Sequence, residues 1–253
     1  MKFSGDSGAV TIAMEGGIAD VRLARPDKLN ALDIAMFGHI RDALDWLGAQ
    51  DEVRCVVLSG EGRSFCVGLD LSVLQTGIGD LVTRTHGPAN ALQQCAWGWR
   101  ALGVPVIAAI HGHCLGAGIQ IALGADIRIA APDAQLSIME MRHGLIPDLA
   151  AFPLSRGVVR EDVLRELVYT AKTVSAAEGQ PLGLVTRLAD DPLAEAMVLA
   201  REIAGKSPPA VRAAKRLFAR TQEDDVTTLL QAESDEEAKL IAGMMQAGAG
   251  ATT

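Results

Sequence analysis

The 253-residue chain has no uninterrupted apolar run long enough to cross a bilayer. Its longest apolar stretch, Cys114 to Ile127, is broken by Gln120, by three glycines and by Asp126. Basic side chains are in short supply: 23 Lys and Arg stand against 31 Asp and Glu, a net charge of −8. An acidic chain of this kind argues against general binding to nucleic acid or to an anionic membrane, while leaving room for a local basic spot beside a phosphorylated ligand. Cysteines are few, and Cys55, Cys66, Cys95 and Cys114 form no C-x-x-C pair and sit in apolar contexts. They are expected to be buried free thiols in a reducing compartment. Met1 to Val10 lacks a basic segment followed by an apolar one, so no secretory signal is expected and the expected location is the cytoplasm.

The common nucleotide and hydrolase signatures are also missing. No G-x-G-x-x-G follows a strand, no G-x-x-x-x-G-K-[ST] occurs, and no G-x-S-x-G elbow is found. His111 and His113 flank Gly112, but no second ligand cluster of suitable spacing follows, so they read as turn or core histidines and no metal site is expected.

Apolar residues make up 49% of the chain and charged residues 21%, a balance that fits one large globular domain or a core with a small appendage. Val10 to Met14 and Ile18 to Ala24 read as a hairpin around Glu15-Gly16-Gly17. Asp33 is suited to cap a helix to about Gly48, with Ile34, Phe37, Ile40, Leu44 and Leu47 on its apolar side. Cys55 to Leu58 and Val104 to Ile110 read as buried strands, and Ile127 to Ala131, Leu136 to Met139 and Leu184 to Leu188 as further strands. Helices are expected over 88–102, near 118–123, and over 192–205, 208–220 and 223–246, with a frayed tail after Gly248. Residues 71–87 are mixed and Gly-containing, and read as a loop or broken helix. Strands alternating with helices imply an α/β fold with buried strands.

Two glycine-bearing turns carry the functional interest. The first is Ser64-Phe65-Cys66-Val67-Gly68-Leu69-Asp70-Leu71, after a strand. The second is Cys114-Leu115-Gly116-Ala117-Gly118-Ile119-Gln120, between a strand and a helix. Small residues there let a ligand approach the main chain, and amides at the start of a helix are unpaired. Two such turns are either plain strand-to-helix connections or a pair of donors aimed at one oxygen, as an oxyanion hole requires.

Arg25-Pro26-Asp27-Lys28-Leu29-Asn30-Ala31-Leu32, then Phe65 to Leu71, then Pro105 to Gly112 with Gly116-Ala117-Gly118, then Glu140 to Pro147, in this order, resemble the crotonase superfamily of enoyl-CoA hydratases and isomerases. The resemblance covers nearly the whole chain. It implies a spiral of ββα units over residues 1–191, a helical C-terminal region over 192–253 that builds trimers or hexamers, and an acyl-CoA ligand with no cofactor besides the CoA that the substrate carries. It assigns the oxyanion amides to Leu69 and Ala117, the latter standing where the family usually has a glycine. It places Gly68, Gly116, Gly118 and Gln120 along the site, and the CoA near Lys28, Leu29, Ala31, Val67 and Asp70. The family's basic and aromatic C-terminal residues are represented here by Lys239 alone.

Hydratases of the family carry one glutamate after the glycine turn and another some twenty residues later. Here those positions hold Gln120 and Glu140. Gln120 forms hydrogen bonds but does not shuttle a proton at neutral pH. Asp148 lies eight residues after Glu140, beyond Gly144 and Pro147, and this spacing resembles the dienoyl-CoA isomerases of the family. Those isomerases have an aspartate where this chain has Gln120. From the residues alone, Glu140 is either a proton-transfer group in an apolar setting or a strand-end residue pairing with Arg142. Asp148 is either its catalytic companion or the cap of a helix starting near Leu149, and both roles are compatible. The leading expectation is double-bond isomerisation of an unsaturated acyl-CoA by Glu140 and Asp148. Hydration of an enoyl-CoA and non-catalytic acyl-CoA binding are the alternatives.

Overall fold

A computed structural model describes residues 3–4 and 8–250. Among the described residues ten strands form two sheets. The larger has the order β1-β2-β3-β4-β5-β7-β10, and the smaller β6-β8-β9. The strands are β1 (Phe3–Ser4), β2 (Val10–Glu15), β3 (Ile18–Leu23), β4 (Cys55–Gly60), β5 (Val106–Ile110), β6 (His113–Leu115), β7 (Ile127–Ala130), β8 (Gln135–Ser137), β9 (Val174–Ser175) and β10 (Arg187–Leu188). β2 and β3 form the expected antiparallel hairpin, and β3, β4, β5, β7 and β10 run parallel. Parallel pairing requires crossovers, which the helices supply. These are α1 (Ile34–Gly48), α2 (Val73–Thr76), α3 (Gln94–Ala101), α4 (Ala117–Gly124), α5 (Ala151–Ser155), α6 (Glu161–Thr170) and α7 (Ala176–Gly179). They are followed by α8 (Pro192–Ala204), α9 (Pro208–Arg220) and α10 (Val226–Gly250).

Strand residues alternate between two faces, and each face has its own cover. Val56, Leu58, Val106, Ala108 and Ile110 pack with α1, α3 and α4 in the main core. α1 starts at Asp33, whose carboxylate accepts the Met36 amide at 2.8 Å, and it buries Met36, Phe37, Ile40, Ala43, Leu44 and Leu47. The larger of these side chains contribute about 1.5–3 kcal/mol each. Ile34, the first residue of α1, departs from the expected apolar side and is 48% exposed. The other face, formed by Ile18, Cys55, Val57, Ile107, Ala109 and Ile129, is covered by Ala196, Ala200 and Ala204 of α8. Spacing of four residues aligns these alanines, and their small size lets the helix lie close to the strands. The boundary expected at 191/192 therefore falls immediately before a helix that is part of the core.

Several bounds differ from expectation. α3 begins at Gln94 rather than Pro88, because the Asn90 side chain accepts the amides of Leu92 and Gln93 and starts the helical turn there. The strand expected over Leu136 to Met139 is Gln135–Ser137, and that over Leu184 to Leu188 shortens to Arg187–Leu188. In 71–87 only the single turn α2 forms. α10 remains helical to Gly250, beyond the expected fraying point, and residues 251–253 lie outside the described residues. Among the described residues no helix is long and apolar enough to cross a membrane. All four cysteines are buried free thiols.

Candidate active site

The segment after β4 is folded back by buried polar bonds. Asn30, fully buried, accepts the Arg25 amide and donates to the carbonyls of Glu61 and Ser64 at 2.9 and 2.8 Å. Arg25 reaches the Ala31 carbonyl at 2.6 Å and pairs with Asp33 and Asp70 at 3.1 and 3.5 Å. Asp70 also accepts the hydroxyl and amide of Ser72, which hold its carboxyl below the usual range. Its visible task is to shape the turn that follows Leu69.

Backbone amides then extend this loop alongside β6. Cys66 donates to His113 at 2.9 Å, and Leu115 donates to Cys66 at 2.9 Å. At Gly68 the chain turns with φ +92°, and its amide is held by the Cys66 sulfur. Gly116 adopts φ 54° and ψ −122°, a conformation open only to glycine, and its amide is committed to Ser137 at 2.8 Å. Asp70 donates to Leu32. The amides of Leu69 and Ala117 are left: among the described residues neither finds a backbone acceptor. Both residues line one cavity of about 330 Å³.

The same cavity brings Val67, Gly116, Gln120, Glu140 and Asp148 together. Gly68 and Gly118 are not on its wall. They lie behind it, where a methyl group would come within 2.7 Å of the Leu115 carbonyl and 2.4 Å of the Cys66 carbonyl, respectively. Lys28, Leu29, Ala31 and Asp70 lie outside the cavity, on or beside the Pro26–Lys28 3-10 turn and the loop that Arg25 anchors. Sequence reading did not name the rest of the lining residue by residue: Leu71, Ile78 and Leu81 from the loop over 71–87, Met139, and Leu145, Ile146 and Leu149 around Asp148. It also missed His143. A 3-10 turn eclipses residues three apart, so the Glu140–His143 turn sets His143 beside Glu140.

Glu140 begins that 3-10 turn, and Gly144 ends it in the left-handed region with φ 69°. The chain reverses there and returns Asp148 to the cavity. α5 starts only at Ala151, behind Ala150 at φ 63°, so Asp148 caps no helix. Arg142 points to Thr173 rather than to Glu140. Glu140 Oε1 accepts Gln120 Nε2 at 2.6 Å, while its Oε2 is buried without a partner. Burial pushes the Glu140 carboxyl up, its own backbone amide and the Gln120 bond oppose that, Asp148 adds to the rise and His143 opposes it. Burial also pushes Asp148 up. The arrangement is an apolar cavity with two unpaired amides and two carboxyls whose burial favours the protonated form.

The chain belongs to the enoyl-CoA hydratase/isomerase family, whose model matches residues 13–249. The human mitochondrial Δ(3,5)-Δ(2,4)-dienoyl-CoA isomerase is 31% identical over 217 residues, which is 78% of this chain and 64% of that protein. The chain thus spans just under two thirds of that relative. YngF of Bacillus subtilis (strain 168), a hydratase/isomerase by name, is 33% identical over 90% of this chain and 88% of its own. A Thermobifida fusca protein named as an enoyl-CoA hydratase, solved in complex with CoA, superposes with a TM-score of 0.83 at 31% identity, covering 94% of this chain and 95% of that one. The crotonase-like fold expected from the sequence is the fold observed.

Proposed function

We propose that this protein is an acyl-CoA isomerase that shifts a conjugated pair of double bonds along an unsaturated thioester, in fatty-acid β-oxidation or related acyl-CoA breakdown. The thioester oxygen takes the Leu69 and Ala117 amides, and the acyl chain fills the apolar cavity. The CoA leaves past Val67 toward Lys28, Leu29, Ala31 and Asp70. One carboxylate removes a proton from the carbon beside the carbonyl. The C–H electron pair enters the conjugated system, and negative charge collects on the thioester oxygen. The other carboxyl delivers a proton to a carbon further along, and the electrons return to the chain as shifted double bonds. No water is added and nothing is oxidised. Each amide contributes about 3 kcal/mol in the transition state, as such donors typically do.

One observation carries this reading: Glu140 and Asp148 share a cavity with the two unpaired amides, while Gln120, hydrogen-bonded to Glu140, cannot transfer a proton. The dienoyl-CoA isomerase among the relatives supports it. The test is incubation with a panel of enoyl- and dienoyl-CoA thioesters in deuterated, oxygen-labelled water. Deuterium entering the chain without oxygen supports isomerisation. Oxygen uptake supports hydration instead, and binding without either supports a non-catalytic role.

The same reading includes a homotrimer or a pair of stacked trimers. Val226, Leu230, Ile241 and Met244 of α10 are 72, 58, 49 and 65% exposed, and Ala232 is the helix's one buried side chain among the described residues. A helix this apolar and this bare fits a subunit contact. A monomeric mass in light scattering removes this part.

A further inference from the structure

We infer that Gln120 is a positioning residue that makes Glu140 a one-oxygen base and ties it to the turn carrying Asp148. The inference rests on the isomerase reading for its catalytic meaning, but its geometry stands by itself. Gln120 is 1% exposed and projects from α4 between two partners. Its carbonyl oxygen accepts the Leu149 amide at 2.8 Å, and its amide nitrogen donates to Glu140 Oε1 at 2.6 Å. The orientation is dictated chemically. A backbone N–H can only donate, so the Gln120 carbonyl must face Leu149 and the NH₂ must face Glu140.

Three consequences follow. Oε1 of Glu140 is occupied, so proton transfer falls to Oε2, the atom that lacks a partner. The NH₂ favours the ionised carboxylate and so opposes the effect of burial. Leu149 adjoins Asp148, so one side chain fixes the spacing between the two proton-transfer groups. A glutamate at this position, by contrast, would set a second carboxylate against Glu140. Gln120 therefore assigns Glu140 to take the proton beside the thioester and leaves Asp148, which among the described residues receives a backbone amide but no side-chain amide, to give one.

The charged groups facing Glu140 are few. Asp148 comes from the following turn and His143 from its own turn. α4 offers the uncharged Gln120. α6 packs on the same turn, but its carboxylates pair outward, Glu161 with Arg165, Asp162 with Arg160 and Glu166 with Lys172. Removing the Gln120 donor should therefore show directly in how Glu140 titrates.

The test uses the full chain labelled with ¹³C-glutamate and ¹⁵N-glutamine. In the wild type, the Gln120 side-chain amide signal, assigned by its shift in Glu140→Gln, should titrate with the midpoint of Glu140. In Gln120→Met, close in length but without a donor, the Glu140 midpoint should rise by about one pH unit, as loss of a hydrogen bond to a charged group implies. The acidic limb of kcat should move by the same amount, with KM for the thioester changed less than about twofold. Gln120→Glu should move both further in the same direction. An unchanged Glu140 midpoint in folded Gln120→Met, or a Gln120 amide indifferent to Glu140 titration in the wild type, overturns the inference. If the wild type isomerises no dienoyl-CoA while these titrations behave as expected, the isomerase reading fails and the clamp stands.

Discussion

A methyl group on Gly68 would lie 3.3 Å from the Ala117 amide nitrogen and 2.7 Å from the Leu115 carbonyl. The two turns that supply the free amides are thus interlocked at Gly68, where no side chain holds them apart. Gly68→Ala must part them and must also strain a backbone at φ +92°. It is expected to lower kcat by about 10²–10³, the effect of losing one oxyanion donor. Gly16→Ala is the control, since it shares a positive φ but has nothing within 4 Å of the added methyl. It should cost about 1 kcal/mol of stability and leave kcat unchanged. Steady-state kinetics of the pair decides the matter, and a Gly68→Ala enzyme with wild-type turnover removes the oxyanion assignment.

Glu140→Gln and Asp148→Asn keep shape and delete proton transfer. Each is expected to lower isomerisation by about 10²–10⁴ with acyl-CoA affinity nearly unchanged. Isotope exchange separates them. Glu140→Gln should abolish exchange of the proton beside the thioester, while Asp148→Asn should retain that exchange and lose net isomerisation. Asp148→Asn with full isomerase activity leaves the aspartate without a catalytic role.

Both carboxyls also set a pH dependence of stability. Burial raises their folded pKa above the unfolded values of about 4.3 for Glu and 3.9 for Asp. The fold therefore favours the protonated forms. Stability is fullest below the unfolded values, declines as pH rises through the window up to the folded values, and stays lowered at neutral pH. Glu140→Gln should accordingly have a higher Tm than the wild type at pH 7, with the gap closing as pH is lowered toward 4. Thermal melts across that range check the sign, and a lower Tm at pH 7 contradicts it.

At the other side of the core, Lys215 of α9 is 6% exposed and donates to Asp126, which also accepts the Val106 amide at the start of β5. This pair pins α9 to the sheet. Lys215→Ala leaves a poorly solvated carboxylate and is expected to cost about 3–5 kcal/mol. Adding Asp126→Asn removes that stranded charge while keeping an acceptor for Val106, and should recover part of the loss. Denaturant midpoints of the single and double variants measure both.

Much of the fold was legible because its signals are local. Cys55 to Leu58 and Val104 to Ile110 are unbroken apolar runs with strand lengths, and Asp33 stands at the right place to cap α1. The loop over 71–87 was not legible: its apolar residues face a cavity whose other walls come from distant segments, so no period marks them. The amides of Leu69 and Ala117 were reached through family resemblance, because the direction of an N–H is set by backbone angles and not by side-chain type. Glu140 and Asp148 were visible as a spacing. The bond from Leu149 to Gln120 was not, since a backbone amide 29 residues away has no sequence signature.

α8 has one more consequence, for how the chain acquires its shape. The sheet's second face, with Ile18, Cys55, Val57, Ile107, Ala109 and Ile129, is complete well before α8 leaves the ribosome, and only then do Ala196, Ala200 and Ala204 close it. Until that moment a newly made chain presents a flat, greasy strand surface, which is the kind that chaperones hold and that neighbouring nascent chains stick to. Long-range parallel pairing makes such closure slow. A fragment ending at Asp191 would keep that surface open permanently, so residues 192–253, about a quarter of the chain, act as the lid that ends its aggregation-prone phase.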